Sequence, residues 1–376
     1  MVKMPKSIWM PSHARLRIES GAYCSIGLIV PGLGAVLKAG SACATLPAPA
    51  GAATNLCYSL KFDPTFPCQQ ETNTMKLVFF NDFRLGVIRD GQIVDATDSF
   101  GGREFRRPQD MMEELIIDWD HQKAKIESAI QGKDGVPLDS VRLRPPLPRP
   151  GKLICAAVNY LEFGQREPSI LDAFLKSPNA VIGDGETCEL PPVPATVFHH
   201  EPELAFVIGK TATKVSQEDA MSHIFGYCNF LDMSARGLPG AVGNSFFLGK
   251  CWDTFAPMGP ALVTADEIPD PHDLQIRLWN RDDPRHDFPT SDMAHKIPEL
   301  ISEFSKITTL EPGDVIATGV NHQQIGAVQD GDVIRMEIKE LGPSLIINIT
   351  DPSHREWPRG IDTEMAERML GRPNRV

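Results

Sequence analysis

Residues 204–208, Leu-Ala-Phe-Val-Ile, form an unbroken apolar run of strand length, and Glu201 and Glu203 stand at its mouth. The run reads as a buried strand. On an extended chain, positions i and i+2 share a face, so both carboxylates point the same way. Two like charges held that close repel each other, and burial raises the cost; a bound cation removes it. Taken alone, the pair also fits a solvated strand end in an acidic protein. A third acid, Asp232, lies in Tyr227-Cys-Asn-Phe-Leu-Asp-Met-Ser-Ala-Arg236, between an apolar strand-like run and small residues. Surface decoration explains it poorly. Three carboxylates with positions open to water and substrate suit Mg²⁺, Mn²⁺ or Ca²⁺.

The charge balance points the same way. The 376 residues carry a formal net charge of -12. Residues 1–74 hold six Lys/Arg against three Asp/Glu, which leaves 31 against 46 in the remainder. A body that acidic repels phosphate backbones, and it lacks the basic stripe that an anionic membrane surface needs. Neither nucleic acid nor a membrane is therefore an expected partner. No stretch of the body is long and apolar enough for a transmembrane helix. Cys155, Cys188, Cys228 and Cys251 stand widely spaced in apolar sequence, with no C-x-x-C pair, and read as buried free thiols in a reducing compartment.

Residues 1–74 differ from the rest. They are rich in Ala, Gly, Pro and Ser, and Lys3, Lys6, Arg15 and Arg17 precede an apolar stretch broken by Pro31. This segment is expected to be disordered low-complexity sequence, with an organelle-targeting leader as the alternative. The expected compartment is accordingly cytoplasmic, or mitochondrial if the leader is real. From Met75 the pattern is that of a folded domain. Residues 75–97 read as strands with Asp90-Gly91 as a hairpin turn. Residues 107–130 fit a helix. The proline-rich 144–152 reads as a linker between a small module (75–143) and a main domain (153–358), with 359–376 as a tail.

Two helices are expected in the main domain. One starts at Ser216, with Met221, Ile224 and Phe225 as its apolar stripe; the other runs from Ile297 through Leu300, Ile301, Phe304 and Ile307. Strands dominate the remainder, so the class is α+β rather than repeated βαβ.

The pattern Glu201-Pro-Glu203-Leu-Ala-Phe-Val-Ile-Gly-Lys210, then Asp232, Ser234-Ala-Arg236 and Gly249-Lys250, resembles the fumarylacetoacetate hydrolase superfamily. Asn159-Tyr160, Phe174-Leu-Lys-Ser-Pro178, Gly259-Pro260, Leu310–Gly319 and Gln329–Asp332 add to the likeness. The resemblance implies a mixed β-roll of the fumarylacetoacetase C-terminal domain type, usually a homodimer. It implies a divalent metal, Mg²⁺ foremost, on Glu201, Glu203 and Asp232. It further implies a small-molecule 2-oxo or 1,3-diketo acid substrate, with a metal-stabilised enolate common to hydrolysis, tautomerisation and hydration or dehydration. Lys250 matches a lysine that stabilises the oxyanion. Arg236, Tyr160 and Thr318 are expected at the substrate, with a structural ion pair as the other reading for Arg236.

One departure bears on mechanism. Hydrolytic members often carry N-Y-x-x-H-x-x-E, whose His and Glu activate water; here those positions are Phe163 and Arg166. Glu162 and His322 are the expected substitutes for proton transfer, against a reading of each as a surface loop residue. Two other classes compete with a metal-dependent oxo-acid enzyme. One is a catalytically inactive metal-binding homologue. The other is a non-haem iron oxygenase using His199 or His200, which adjacent histidines on opposite strand faces disfavour.

Overall fold

The computed structural model describes residues 75–239 and 245–371, and three short strands before them. Those strands, Arg15–Glu19, Ser25–Ile29 and Leu37–Lys38, pair antiparallel within a unit spanning Met1–Thr72. The expectation of a disordered or targeting segment over 1–74 otherwise lies outside the described residues, as does the end of the tail.

The body is a second unit, Asn73–Val376. It opens with β1 (Lys76–Phe80), β2 (Arg84–Arg89) and β3 (Gln92–Asp95), an antiparallel meander. Asp90 (φ 49°) and Gly91 (φ 73°) join β2 to β3, and this pair of positive φ values is what a tight hairpin turn demands. Helices α1 (Pro108–Ile117) and α2 (Trp119–Ile130) follow, so the single helix expected over 107–130 is broken at Asp118.

Next come β4 (Leu153–Ala157), β5 (Asp172–Leu175), β6 (Pro202–Ile208), β7 (Ile224–Leu231) and β8 (Ala256–Thr264). The chain continues through β9 (Gln275–Asn280), β10 (Asp283–Pro289), α3 (Ile297–Ile307), β11 (Val315–Ala317), β12 (Val333–Ile338), β13 (Leu345–Thr350) and α4 (Thr363–Leu370).

These strands form two sheets, and Val197–His199 pairs with Ser234–Arg236 in a further small one. The larger runs β5-β4-β11-β6-β7-β8-β1-β2-β3, parallel at β4–β11 and antiparallel at every other step. The smaller runs from Thr187–Glu189 through β13-β12-β9-β10. Strand β6 lies near the middle of the larger sheet, and its residues alternate between two cores. Leu204, Phe206 and Ile208 pack with Ile276, Leu278, Ile334 and Met336 of the smaller sheet and with Leu300 and Phe304 of α3. Ala205 and Val207 pack on the other side with Met112, Leu115 and Ile116 of α1. With both faces covered, no position in 204–208 can be polar without losing hydration, which is why the run is unbroken.

Three expectations change. The chain at 75–143 is not set apart: β1 pairs with β8, Leu77 opposite Leu262, and so extends the main sheet. The proline-rich 144–152 is docked along it, with Arg144 opposite Phe79 and Leu147 fully buried. The helix at Ser216 keeps its cap, the hydroxyl accepting from the Asp219 N–H, but lasts one turn (Gln217–Ala220) before a 3₁₀ turn. Ile224 and Phe225 begin β7 instead, because pairing on both edges outweighs local helical spacing. The expected tail contains α4. Among the described residues no helix is long and apolar enough to cross a membrane.

Candidate active site

Glu201 and Glu203 lie at the start of β6, and Asp232 directly follows β7. Antiparallel register sets Pro202 opposite Leu231, and the Asp232 N–H donates to the Glu201 carbonyl at 2.9 Å. Two adjacent strand ends thus deliver three carboxylates to one point. One oxygen from each lies within 4.8 Å of the others, and all three residues are buried. Ser234 Oγ donates to Glu201 Oε1 (2.9 Å), and the Gly319 N–H donates to Glu203 Oε2 (2.6 Å), which fixes the carboxylate planes. A compact set of hard oxygen donors suits a divalent cation such as Mg²⁺ or Mn²⁺.

Cations surround the acids. Lys250 Nζ donates to Glu201 Oε2 at 2.7 Å and to Asp232; Arg236 bridges to Glu201; Lys176 bridges to Asp232 and donates to the Met233 carbonyl at 3.1 Å. Burial opposes ionisation of Glu201, but Arg236 and Lys250 prevail and hold its carboxyl well below the usual range. Glu203 makes no ion pair among the described residues. Burial, with Asp232 and Glu201 beside it, pushes its carboxyl well above the usual range. Burial likewise opposes the Lys250 charge, and Asp232 and Glu201 overcome it to raise the ammonium pKa. The site therefore strains against its own negative charge at Glu203, the condition a cation would relieve.

A second constellation reaches the same cavity through His322; the cavity measures about 510 Å³ and is lined by Glu201, Glu203, Asp232, Lys250 and His322 among others. Glu162 Oε1 lies 2.9 Å from His322 Nδ1, and Glu162 Oε2 accepts the His322 N–H at 2.8 Å and Gln323 Nε2 at 3.1 Å. Both are buried. Burial opposes the Glu162 charge, yet His322 and these hydrogen bonds draw its pKa down. Glu162 (φ 55°), Phe163 (φ 59°) and cavity-lining Val158 (φ 54°) all occupy the left-handed region. That conformation is costly for a β-branched valine, and such strain concentrates at functional sites.

Of the residues expected from sequence, Lys250, Arg236 and His322 line the cavity with the acids, and Glu162 stands behind His322 without lining it. Tyr160 and Thr318, expected at the substrate, do not line the cavity. The Thr318 hydroxyl donates to the Leu204 carbonyl at 2.9 Å, and Tyr160 packs edge-on against Phe288 in the core. Neither His199 nor His200 reaches the acid cluster: His199 Nε2 lies 2.9 Å from Asp362, and His200 Nδ1 lies 3.2 Å from His286 Nε2. An iron site of two histidines and a carboxylate is therefore not assembled here.

Two features escape sequence reading. Lys176 follows edge strand β5, and a lone lysine between Leu175 and Ser177 carries no mark of burial, yet its side chain is fully buried. Helix α4, expected as tail, lines the cavity through Met365, Arg368 and Met369. Asp362 caps it, accepting from the Met365 N–H at 2.9 Å while holding His199. An acid at a helix N-cap was the one available signal.

Comparison with known proteins bears on this arrangement. Residues 152–345 match the family model for the fumarylacetoacetate (FAA) hydrolase C-terminal domain. The chain is 34% identical over 289 residues to a maleylpyruvate hydrolase of Aquipseudomonas alcaligenes, covering 72% of this chain and 98% of that protein. It is 39% identical over 217 residues to the mitochondrial oxaloacetate tautomerase fahd2 of Xenopus laevis, covering 54% of this chain and 67% of that one. The crystal structure of maleylpyruvate hydrolase from Sphingobium sp. SYK-6 in complex with manganese(II) and pyruvate superposes with a TM-score of 0.66 at 38% identity, over 74% of this chain and 99% of that one. The acid cluster, the surrounding cations and this breadth of match lead to one conclusion: the chain belongs to the fumarylacetoacetate hydrolase family.

Proposed function

We propose that the protein is a divalent-metal-dependent enzyme that moves a proton on a small 2-oxo or 1,3-diketo acid, with Glu201, Glu203 and Asp232 holding Mg²⁺ or Mn²⁺. The observation that carries this reading is the placement of the carboxylate cluster and of His322, held from behind by Glu162, on one cavity. When bound, the cation supplies Lewis-acid polarisation of the substrate's carboxylate and neighbouring oxo group. Lys250, between Glu201 and Asp232, offers its ammonium to the oxyanion that develops at the polarised oxygen. Glu162 accepts a hydrogen bond from the His322 Nδ1–H, an orientation that leaves Nε2 as the nitrogen that takes a proton from the substrate carbon or from water. Arg236 holds Glu201 in place. The pair stands in for the missing histidine and glutamate at Phe163 and Arg166, and it speaks against an inactive homologue.

Buried free Cys155, Cys188 and Cys228, with half-buried Cys251, suit a reducing compartment, so a cytoplasmic enzyme is part of the proposal, with a homodimer as the family resemblance implies. The test is turnover by the full chain, with Mn²⁺ or with EDTA, on the enol of oxaloacetate, on acylpyruvates and on maleylpyruvate. Metal-dependent turnover that disappears in Glu203→Ala supports the reading, and the responding substrate names the reaction. Turnover unaffected by EDTA, or none on any oxo acid with Mn²⁺ bound, overturns it.

A further inference from the structure

Four cationic side chains line the cavity: Arg166, Arg236, Lys250 and Arg368. Three have acidic partners. Arg236 pairs with Glu201, Lys250 with Glu201 and Asp232, and Arg368 with Glu364 at 2.7 Å. Arg166 makes no ion pair among the described residues. Its guanidinium donates to two neutral oxygens, the Met369 carbonyl at 3.2 Å and the Ser169 hydroxyl. Glu162 is the acid whose charge reaches Arg166, but its oxygens are taken by His322 and Gln323, so this partly buried guanidinium, which cannot shed its charge at physiological pH, keeps capacity for a further anion.

Its surroundings hold it in place. Met369 belongs to the last turn of α4, where unpaired carbonyls favour a cation. The Arg166 N–H donates to the Leu161 carbonyl at 3.0 Å, and the Ser169 carbonyl lies 2.7 Å from His295 Nε2. The same cavity is also lined by apolar side chains. Ile170 and Leu171 contribute, as do Phe174 and Phe246, whose rings stack at 4.3 Å.

We infer that Arg166, clamped by the C-terminal end of α4, is the residue of this chain that binds the second carboxylate of an oxo-diacid substrate held in the same cavity as the acid cluster. The inference rests on the proposed function, which puts the substrate's first carboxylate and its oxo group at the acid cluster. It also gives the Arg166 position a purpose: with the proton-transfer pair built from Glu162 and His322, position 166 is free to carry a positive charge.

The test is isothermal titration of the Mn²⁺-loaded full chain with 2-oxoglutarate and 2-oxoadipate, each against its monoacid of equal length, 2-oxopentanoate and 2-oxohexanoate. Oxalate, which engages only the metal end, is the control. The diacid of matching length is expected to bind about 10–100-fold more tightly than its monoacid, the worth of one charge-assisted hydrogen-bonded pair. Arg166→Gln removes that preference and leaves the monoacid and oxalate affinities unchanged; Arg166→Lys keeps part of it, and Arg368→Gln keeps it. A preference that survives Arg166→Gln, or equal weakening of diacid and monoacid, overturns the assignment. Failure of oxalate and of every 2-oxo acid to bind overturns the proposed function, and the role of Arg166 with it.

Discussion

Glu162 holds His322 twice, through Nδ1 at 2.9 Å and through the backbone N–H at 2.8 Å. Ring and main chain are gripped by one carboxylate, so the imidazole has a single orientation on the cavity. Glu162→Gln keeps an acceptor in place but removes the charge that sets the ring tautomer. We expect kcat to fall about 10²–10⁴-fold, the usual worth of a positioned acid–base group. His322→Gln should fall as far. Mn²⁺ affinity, measured by titration calorimetry, should stay within a few-fold of wild type in both; a large loss there would make the pair structural.

Removing the metal should be visible without any substrate. A cation that binds the folded state alone stabilises it by about 2.7 kcal/mol at 100 times its Kd. EDTA should lower Tm, and Mg²⁺ or Mn²⁺ should restore it. Glu203→Gln replaces the carboxylate that suffers most from its neighbours. It is expected to raise the Tm of the metal-free protein and to abolish the metal-induced rise. A metal-induced rise that persists in this variant would move the site elsewhere.

Lys176→Met tests how the acids are neutralised. The ammonium and Asp232 are both buried, and breaking such a pair by removing one partner costs about 3–5 kcal/mol. The charge left on Asp232 is one that a bound cation can offset. Chemical denaturation should therefore show a large loss of stability in the metal-free variant and a smaller loss with Mn²⁺ present. Equal losses in the two states would mean that Lys176 acts only by packing.

The buried pair His200 and His286 predicts an acid limb. Burial lowers the pKa of both rings, that of His200 to about 3 and that of His286 well below its usual 6.5; the neighbouring His199 and Arg285 lower His200 further, and His200 lowers His286. Below pH 6.5 the unfolded chain takes up protons that the folded chain refuses. Stability is thus fully present above pH 6.5 and falls as pH drops through it, by about 1.4 kcal/mol per pH unit for each ring. His286→Gln retains a donor for His200 Nδ1 and should make the slope between pH 6.5 and 5 shallower, as read by urea unfolding of the metal-free protein. An unchanged slope would assign the acid limb to other groups.

Helix α4 reaches the cavity from the far end of the chain. Asp362→Ala removes its cap and the partner of His199, so a loss of about 1–2 kcal/mol is expected from the cap alone. Because Gln323, which donates to Glu162, also donates to the Ala366 carbonyl at 3.2 Å, loosening α4 should lower kcat while leaving Mn²⁺ affinity intact. Full activity in this variant would detach α4 from the site.

The local record in the chain was enough to place the metal-ligand candidates. Glu201 and Glu203 share a strand face by the period of extended backbone, and Leu204–Ile208 has no polar residue because both faces are buried. The turn at Asp90-Gly91 and helix α3 were legible for the same reason, since backbone sterics and apolar spacing act over a few residues. What happens between distant segments was not. Ile224 and Phe225 satisfy helical spacing, but they open a strand that is paired along both edges. The sequence named Glu162 and His322 as substitutes, yet only a loop folded across 160 positions puts them 2.9 Å apart. Lys176 is an ordinary lysine until a sheet edge buries it on Asp232, and Arg166 is an ordinary arginine until α4 returns to hold it. Burial and charge pairing depend on which segments meet in space, so tertiary structure alone decided which charges are neutralised and which one is left for a substrate.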